Sequence, residues 1–108
     1  MKISKKRTFT HDVPVLVPAD DGHIEDTLRT TFNYVDTEQA RIFDLTTQAG
    51  IDGFLEAIVD SFHDLTDDDG RAIPYTAELR ADLLNAQYVR QALLAHYGNA
   101  VTKVKVGN

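Results

Sequence analysis

The sequence of 108 residues contains no cysteine and no tryptophan, and only three prolines. The lack of cysteine excludes disulfides and thiolate metal sites and is typical of proteins from reducing compartments. No stretch approaches the roughly 18 consecutive apolar residues of a membrane-spanning helix. A signal peptide needs an apolar stretch after its basic residues. The region after the basic residues 1–7 instead contains His11, Asp12 and Pro14, which argues against a signal peptide. These features predict a cytoplasmic protein without a membrane partner.

Basic residues are also scarce, because 11 Lys and Arg face 17 Asp and Glu, for a formal net charge of −6. Binding to a phosphate backbone depends on clustered cations, so this balance argues against a nucleic-acid partner. Several cations nevertheless gather towards the two ends of the sequence: Lys2, Lys5, Lys6, Arg7, Lys103 and Lys105. They are interpreted either as solvated tails or as a means of docking onto an acidic partner.

Sequence motifs of catalysis are missing as well. The two serines, Ser4 and Ser61, lie outside any GxSxG turn, and neither a P-loop nor a GxGxxG motif occurs. The four histidines are His11, His23, His63 and His96. None is spaced as HxH, HxxxH or HExxH, so a metal site would have to be assembled from distant segments. His96 lies on an apolar helix face and is expected to be a core or rim residue. We expect no enzyme and no cofactor.

What the sequence does contain is an apolar stripe at helical spacing between Ile51 and Phe62. The stripe consists of Ile51, Phe54, Leu55, Ile58, Val59 and Phe62. This period predicts one amphipathic helix, with Glu56, Asp60 and Ser61 on its solvent face. The acidic turn DLTDDDG ends it. A new helix is predicted after Pro74, with Thr76 as its N-cap and Leu79, Leu83 and Leu84 as its apolar stripe.

The first third of the sequence predicts a β-hairpin over residues 8–35. Alternate residues of its first strand form one apolar face, namely Phe9, His11, Val13, Val15 and Val17. After a turn at residues 18–22, the second strand also has an apolar face at alternate positions, formed by Ile24, Leu28, Phe32 and Tyr34. Pro14 cannot donate to a strand ladder, so the first strand is predicted to be an edge.

Two further helices complete the prediction. Asp36 and Gln39 have the spacing of a capping box for a short helix over about residues 37–45, with Ile42, Phe43 and Leu45 available for burial. A last helix is predicted over residues 87–97, after a bend at residues 85–86. Its inner stripe comprises Val89, Ala92, Leu93, His96 and Tyr97. Gly98 and Asn99 are predicted to end it.

These elements predict an α+β fold in one small domain, a β-hairpin packed on three or four short helices. Within residues 1–108 we predict a basic tail at 1–7, the hairpin at 8–35, the helical part at 36–98, and a tail or edge strand at 99–108. A lone hairpin is marginal in water, so its apolar face is expected to lie on the helices.

The acidic turn matches the pattern of an EF-hand calcium loop only in part, because that loop requires oxygen ligands at fixed positions. With Gly70 at the sixth position, Asp67 and Asp69 occupy the third and fifth. Leu65 and Thr76 then occupy the first and twelfth positions, where a carboxylate is needed. A solvated turn is therefore favoured over a calcium site, and no metal ligand is predicted.

The segment FLEAIVDSFHDLTDDDGRAIPYTAELRADLLNAQYVRQALLAHYGNAV resembles the carboxyl-terminal half of the phage tail assembly chaperone family of long-tailed phages and prophages. The similarity lies in an ordered pattern: an apolar helix, then LTDDDG, IPYT, LL, YVRQAL and Tyr97. It covers about half of the chain. Phe62 stands where members of the family often carry a tryptophan.

The resemblance implies a non-enzymatic factor of virion morphogenesis that works in the host cytoplasm and is absent from the mature virion. Such a factor would bind the tape measure protein and keep it soluble while the tail tube assembles. A frameshifted, longer form would also contact the tail tube protein. A homo-oligomer is left open. The alternative class is a small acidic adaptor or a calcium-dependent binding module.

The predicted last helix also leaves side chains outside its buried stripe. Tyr88 and Leu94 point away from Val89, Leu93 and Tyr97, and Arg90 lies close to both along the helix. Tyrosine and arginine are enriched where binding energy concentrates. We hypothesise that Tyr88, Arg90 and Leu94 contribute to the surface that meets an apolar helical stretch of the tape measure protein. Scattered surface positions, or burial against the hairpin, are the alternative interpretation.

Overall fold

The chain folds into a three-stranded antiparallel sheet with helices packed against its apolar face, in a computed structural model that describes residues 1–102. The elements are β1 (Thr8–Ala19), β2 (Gly22–Asn33), α1 (Thr37–Ala40), α2 (Gln48–Ile58), β3 (Val59–His63), α3 (Ala77–Asn85) and α4 (Gln87–Thr102). The order in the sheet is β1–β2–β3. The predicted single α+β domain with an amino-terminal hairpin is confirmed.

The hairpin has an unbroken register from the pair Thr8–Asn33 to the pair Ala19–Gly22, and Gly22 takes the positive φ of 122° that follows its two-residue turn. β1 lies at the edge of the sheet, as Pro14 predicts. The predicted inner face of β1 is confirmed, because Val13 and Val15 are buried and its other members are half-buried. Thr30 is also fully buried, and its hydroxyl donates to the Leu28 carbonyl at 3.1 Å.

The inner face of β2 is covered only along part of its length. Leu28 and Phe32 are buried, but Ile24 is 63% and Tyr34 43% exposed. The predicted strand phase is therefore right and the expected burial of these two residues is wrong. Ile24 lies close to the hairpin turn, and Tyr34 lies beyond the end of β2, where Val35 packs against the core instead.

The capping box at Asp36 and Gln39 is confirmed, but α1 ends at Ala40 instead of continuing to residue 45. Of the three residues available for burial, Ile42 and Leu45 remain 79% and 51% exposed. Phe43 alone of the three is half-buried, and its ring lies 5.8 Å from that of Phe54.

The chain between α1 and α2 turns through side-chain hydrogen bonds. The Asp44 carboxylate accepts from the Thr46 hydroxyl and backbone N–H, and these bonds hold the pKa of Asp44 below its usual value. Thr47 caps α2 by accepting from the Gly50 N–H at 3.0 Å. Gly50 therefore lies in the first turn of α2.

The predicted helix over residues 51–62 is wrong in its last four residues, because α2 ends at Ile58 and the chain continues as β3 from Val59. Phe62 pairs with Thr30, and a bulge between Thr31 and Phe32 lets Val59 pair with Phe32. Val59 and Phe62 are still buried, as the stripe requires. The pattern predicted burial correctly, although the conformation differs.

Thr76 caps α3 by accepting from the Leu79 N–H at 3.1 Å, as predicted, and the bend before α4 falls at Ala86. The predicted end of the last helix is wrong, because α4 runs through Gly98 to Thr102. A glycine inside a helix costs only about 1 kcal/mol, which packing can offset. Residues 99–102, predicted as a tail or strand, are helical, and the rest of that prediction lies outside the described residues.

Candidate binding surfaces

The three residues predicted to meet a partner lie on α4, but the fold gives them different surroundings. Tyr88 is 38% exposed, Leu94 is half-buried, and Arg90 is only 8% exposed. Six positions separate Tyr88 from Leu94, which places them about 120° apart around the helix. They therefore line two separate grooves and do not form one patch.

Arg90 is occupied inside the domain. One guanidinium nitrogen, Nη1, donates to the Leu84 carbonyl at 2.9 Å, and Nη2 donates to Asp52 Oδ1 at 2.6 Å. These bonds join α4 to the end of α3 and to the start of α2. The expectation that Arg90 belongs to a surface patch is wrong, because its partners in the fold, from other elements, bury it.

Leu94 lines an apolar groove of about 400 Å³ between α2 and α4. Its other principal walls are Leu45, Ile51, Phe54, Tyr97 and Val101. The described residues that line it are all uncharged. We call it the α2–α4 groove. The sequence pattern assigned most of these side chains to the buried core; only the angular position of Leu94 indicated a free surface.

Tyr88 lines a second groove, of about 370 Å³, between α4 and the outer edge of β1. Pro14, Leu16 and Pro18 form its β1 side, and Ala92 lies beside Tyr88 on the helix side. Leu16 is 57% exposed. Two of the three β1 residues are prolines, which lack the N–H that another strand would need for pairing. This edge is therefore poorly suited to strand addition.

A pair of histidines holds β1 against α4. His11 Nδ1 and His96 Nε2 are 2.8 Å apart, so one ring donates a hydrogen bond to the other. The His96 ring also lies parallel to that of Phe32 at 6.0 Å. The expectation that His96 is a core or rim residue is confirmed, because its side chain is half-buried. Burial, and then the nearby His11, lower the pKa of His96 below the ordinary 6.5.

Acidification is expected to destabilise the fold through this pair. Because the pKa of His96 is lower in the folded chain than the ordinary 6.5, the unfolded chain binds more protons between the two values. The neutral His96 ring contributes its full share of folding stability above pH 6.5. That contribution is lost as the pH falls through the pKa that His96 has in the folded chain. Urea unfolding at a series of pH values should show this loss, and His96→Gln should have a flatter profile. Equal slopes for the two proteins would contradict the assignment.

The acidic turn is stabilised by its own backbone. Asp67 Oδ1 accepts from the N–H groups of Asp69 and Arg71 at 2.9 and 3.0 Å, and Gly70 takes a φ of 78°. The Leu65 carbonyl accepts from Ile73, and Thr76 caps α3. Within residues 1–102, no cluster of three or more His, Asp or Glu side chains could hold a metal ion.

Calcium is accordingly expected to bind the acidic turn no more tightly than millimolar, since the positions of Leu65 and Thr76 offer no carboxylate. Isothermal titration calorimetry of the chain with calcium chloride checks this. Asp67→Asn provides the reference, because it removes one carboxylate charge while keeping an acceptor for the turn. A micromolar affinity that this substitution abolishes would favour the calcium-dependent module.

A polar network crosses the outer face of the sheet. His63 Nε2 lies 2.7 Å from the Thr31 hydroxyl and 3.2 Å from the Ser61 hydroxyl, and Thr31 also bonds to Thr10. The Asp60 carboxylate accepts from the Ser61 hydroxyl. In a serine hydrolase the carboxylate would instead orient the imidazole. These bonds link the three strands, and we assign no nucleophile to them.

The fold and its surfaces thus define a small α+β domain with an apolar groove beside its last described helix. None of the helices in residues 1–102 combines the length and the apolar character needed to cross a membrane. Comparison of the chain with protein-family models, curated proteins and solved structures finds no match. The family resemblance in the sequence therefore remains a prediction, to be tested by experiment.

Proposed function

We propose that this chain is a tail assembly chaperone of a long-tailed phage or prophage. It binds the tape measure protein in the host cytoplasm, keeps it soluble while the tail tube assembles, and leaves before the virion is complete. It carries out no catalysis and needs no cofactor. A frameshifted form, where one exists, also contacts the tail tube protein. The proposal is supported by the resemblance of the helical half and by the α2–α4 groove.

The groove is the observation that carries the proposal. Its walls are apolar and uncharged, and α2 and α4 form its two sides. Such a groove suits the apolar face of an amphipathic helix, which presents side chains at i, i+3, i+4 and i+7. A tape measure protein is expected to be long and rich in such helices. Exposed apolar side chains of that kind aggregate unless a partner covers them.

The groove is tested by two substitutions at opposite sides of α4. Leu94→Asp places a carboxylate in the α2–α4 groove, whereas Tyr88→Asp places one in the groove along β1. Both variants are first shown to melt cooperatively. Each is then co-expressed with the protein encoded by the long, helix-rich gene expected just downstream. Leu94→Asp should lose co-purification of that protein and leave it insoluble, while Tyr88→Asp should behave as wild type.

The assignment of the groove would be overturned if Leu94→Asp kept the co-expressed protein soluble and co-purified with it. It would also be overturned if only Tyr88→Asp lost co-purification. Gene order offers a faster check of the wider proposal. A chaperone gene is expected immediately before a tape measure gene, and a different neighbourhood would favour the acidic adaptor.

A further inference from the structure

The hairpin carries opposite charges at its two ends. Its turn, with the strand residues beside it, presents four carboxylates: Asp20, Asp21, Glu25 and Asp26. The segment that leads into β1 carries four cations: Lys2, Lys5, Lys6 and Arg7. Within residues 1–102, none of these eight side chains forms an ion pair. We call these two regions the acidic tip and the basic segment.

The basic segment forms one wall of a cleft with a volume of about 840 Å³. Lys5, Lys6 and Arg7 lie on that wall, and Tyr34 and Ile42 contribute to the apolar remainder. Ile42 is 79% and Tyr34 43% exposed. The cleft therefore combines cations with apolar side chains that the described fold leaves uncovered.

The cleft also contains polar groups with different roles. Asn33 Oδ1 is buried and accepts no hydrogen bond from the described residues. Asp36, also at the cleft, is already engaged, because its carboxylate accepts from the Gln39 N–H in the capping box. A ligand that enters the cleft thus meets cations that form no ion pair within residues 1–102.

The acidic tip has the charge and the apolar side chains that complement this cleft. Its strands carry two apolar side chains near the two-residue turn that are largely exposed, Leu16 at 57% and Ile24 at 63%. It cannot reach the cleft of its own chain, because a strand of twelve residues spans about 37 Å. We propose that the acidic tip of one copy inserts into the cleft beside the basic segment of a second copy.

This contact joins two different surfaces and is therefore heterologous. Each added copy presents a new tip and a new cleft, so the contact produces open chains or closed rings. Because exposed charges carry much of it, the association should weaken as salt rises. The inference does not depend on the chaperone proposal, since the α2–α4 groove takes no part in it.

Charge reversal tests the contact. Sedimentation velocity of the full chain at low salt should show a mass that grows with concentration and falls on adding salt. The tip variant Asp20→Lys/Asp21→Lys and the segment variant Lys5→Glu/Lys6→Glu should each remain monomeric. An equimolar mixture of the two should associate, because the first keeps its basic segment and the second keeps its acidic tip.

The tip-to-cleft contact predicts that association, which each charge-reversal variant loses alone, returns when the two variants are mixed. A wild-type chain that stays monomeric at every concentration overturns the proposal, and so does a mixture that remains monomeric while wild type associates. Persistent association of either variant alone also overturns it. The neutral variants Asp20→Asn/Asp21→Asn and Lys5→Gln/Lys6→Gln provide milder changes at the same exposed positions. They should weaken association, and unchanged association with them contradicts the proposal.

Discussion

Replacing Leu93 by alanine is expected to destabilise the domain by roughly 2–5 kcal/mol, the range for buried leucine truncations. Leu93 is fully buried at the middle of α4, the helix that packs on β1, α2 and α3. Ile58, at the end of α2, is fully buried too, and Ile58→Ala should have an effect of similar size. A small domain is typically stable by about 5–15 kcal/mol, so either loss is a large share of the total.

Urea unfolding followed by circular dichroism measures the effect. Leu16→Ala is the matched control, because it makes the same type of truncation at a side chain that is 57% exposed. It should change the free energy of unfolding by no more than about 0.5 kcal/mol. If Leu93→Ala or Ile58→Ala unfolds at the same urea concentration as this control, the corresponding helix does not face the core.

The second large effect is expected at Gly50, where no side chain fits. A Cβ at this position would overlap the carbonyl oxygen of Asp44 and lie 2.8 Å from its backbone nitrogen. These atoms belong to the backbone, so the turn between α1 and α2 would have to move. Gly50→Ala should therefore destabilise by about 1–3 kcal/mol or more, as overpacking does.

Gly98 is the matched control for this substitution. It lies inside α4, and a Cβ built on it meets no atom within 4 Å. Gly98→Ala should stabilise the chain by up to about 1 kcal/mol, since alanine is the better helix former. Thermal melting should thus move in opposite directions for the two variants. A stabilising effect of Gly50→Ala would show that Asp44 is not against α2.

The hairpin and the core could be predicted from the sequence because their signals are local. Alternation at period two gave the inner face of β1, and Pro14 gave its edge position. The switch from α2 to β3 could not be predicted in this way. Val59 and Phe62 are buried in either conformation, so the apolar pattern does not distinguish a helix from a strand there.

The binding surfaces were harder to predict because they depend on contacts between distant segments. The free position of Leu94 follows from its angle on the helix, which the sequence gives. The burial of Arg90 does not, because its partners Asp52 and Leu84 come from other helices. Leu45 and Ile51 were assigned to the core, since an apolar residue at helical spacing gives no sign that its side of the helix is open.

The chaperone proposal and the tip-to-cleft contact use different surfaces and can fail separately. The first depends on the α2–α4 groove, and the second on the two charged ends of the hairpin. Charge-reversal variants that are monomeric yet still bind the tape measure protein would separate the two. Leu94→Asp, conversely, should leave self-association unchanged.

The most direct test of the proposed function is the solubility of the long, helix-rich protein expected from the adjacent gene, the proposed tape measure protein, when it is expressed with and without this chain. We predict that it is insoluble alone, and that with wild-type chain it is soluble and co-purifies as a complex. Leu94→Asp should not rescue it. A tape measure protein that is equally soluble in both conditions, and that does not co-purify with the chain, would contradict the proposed function.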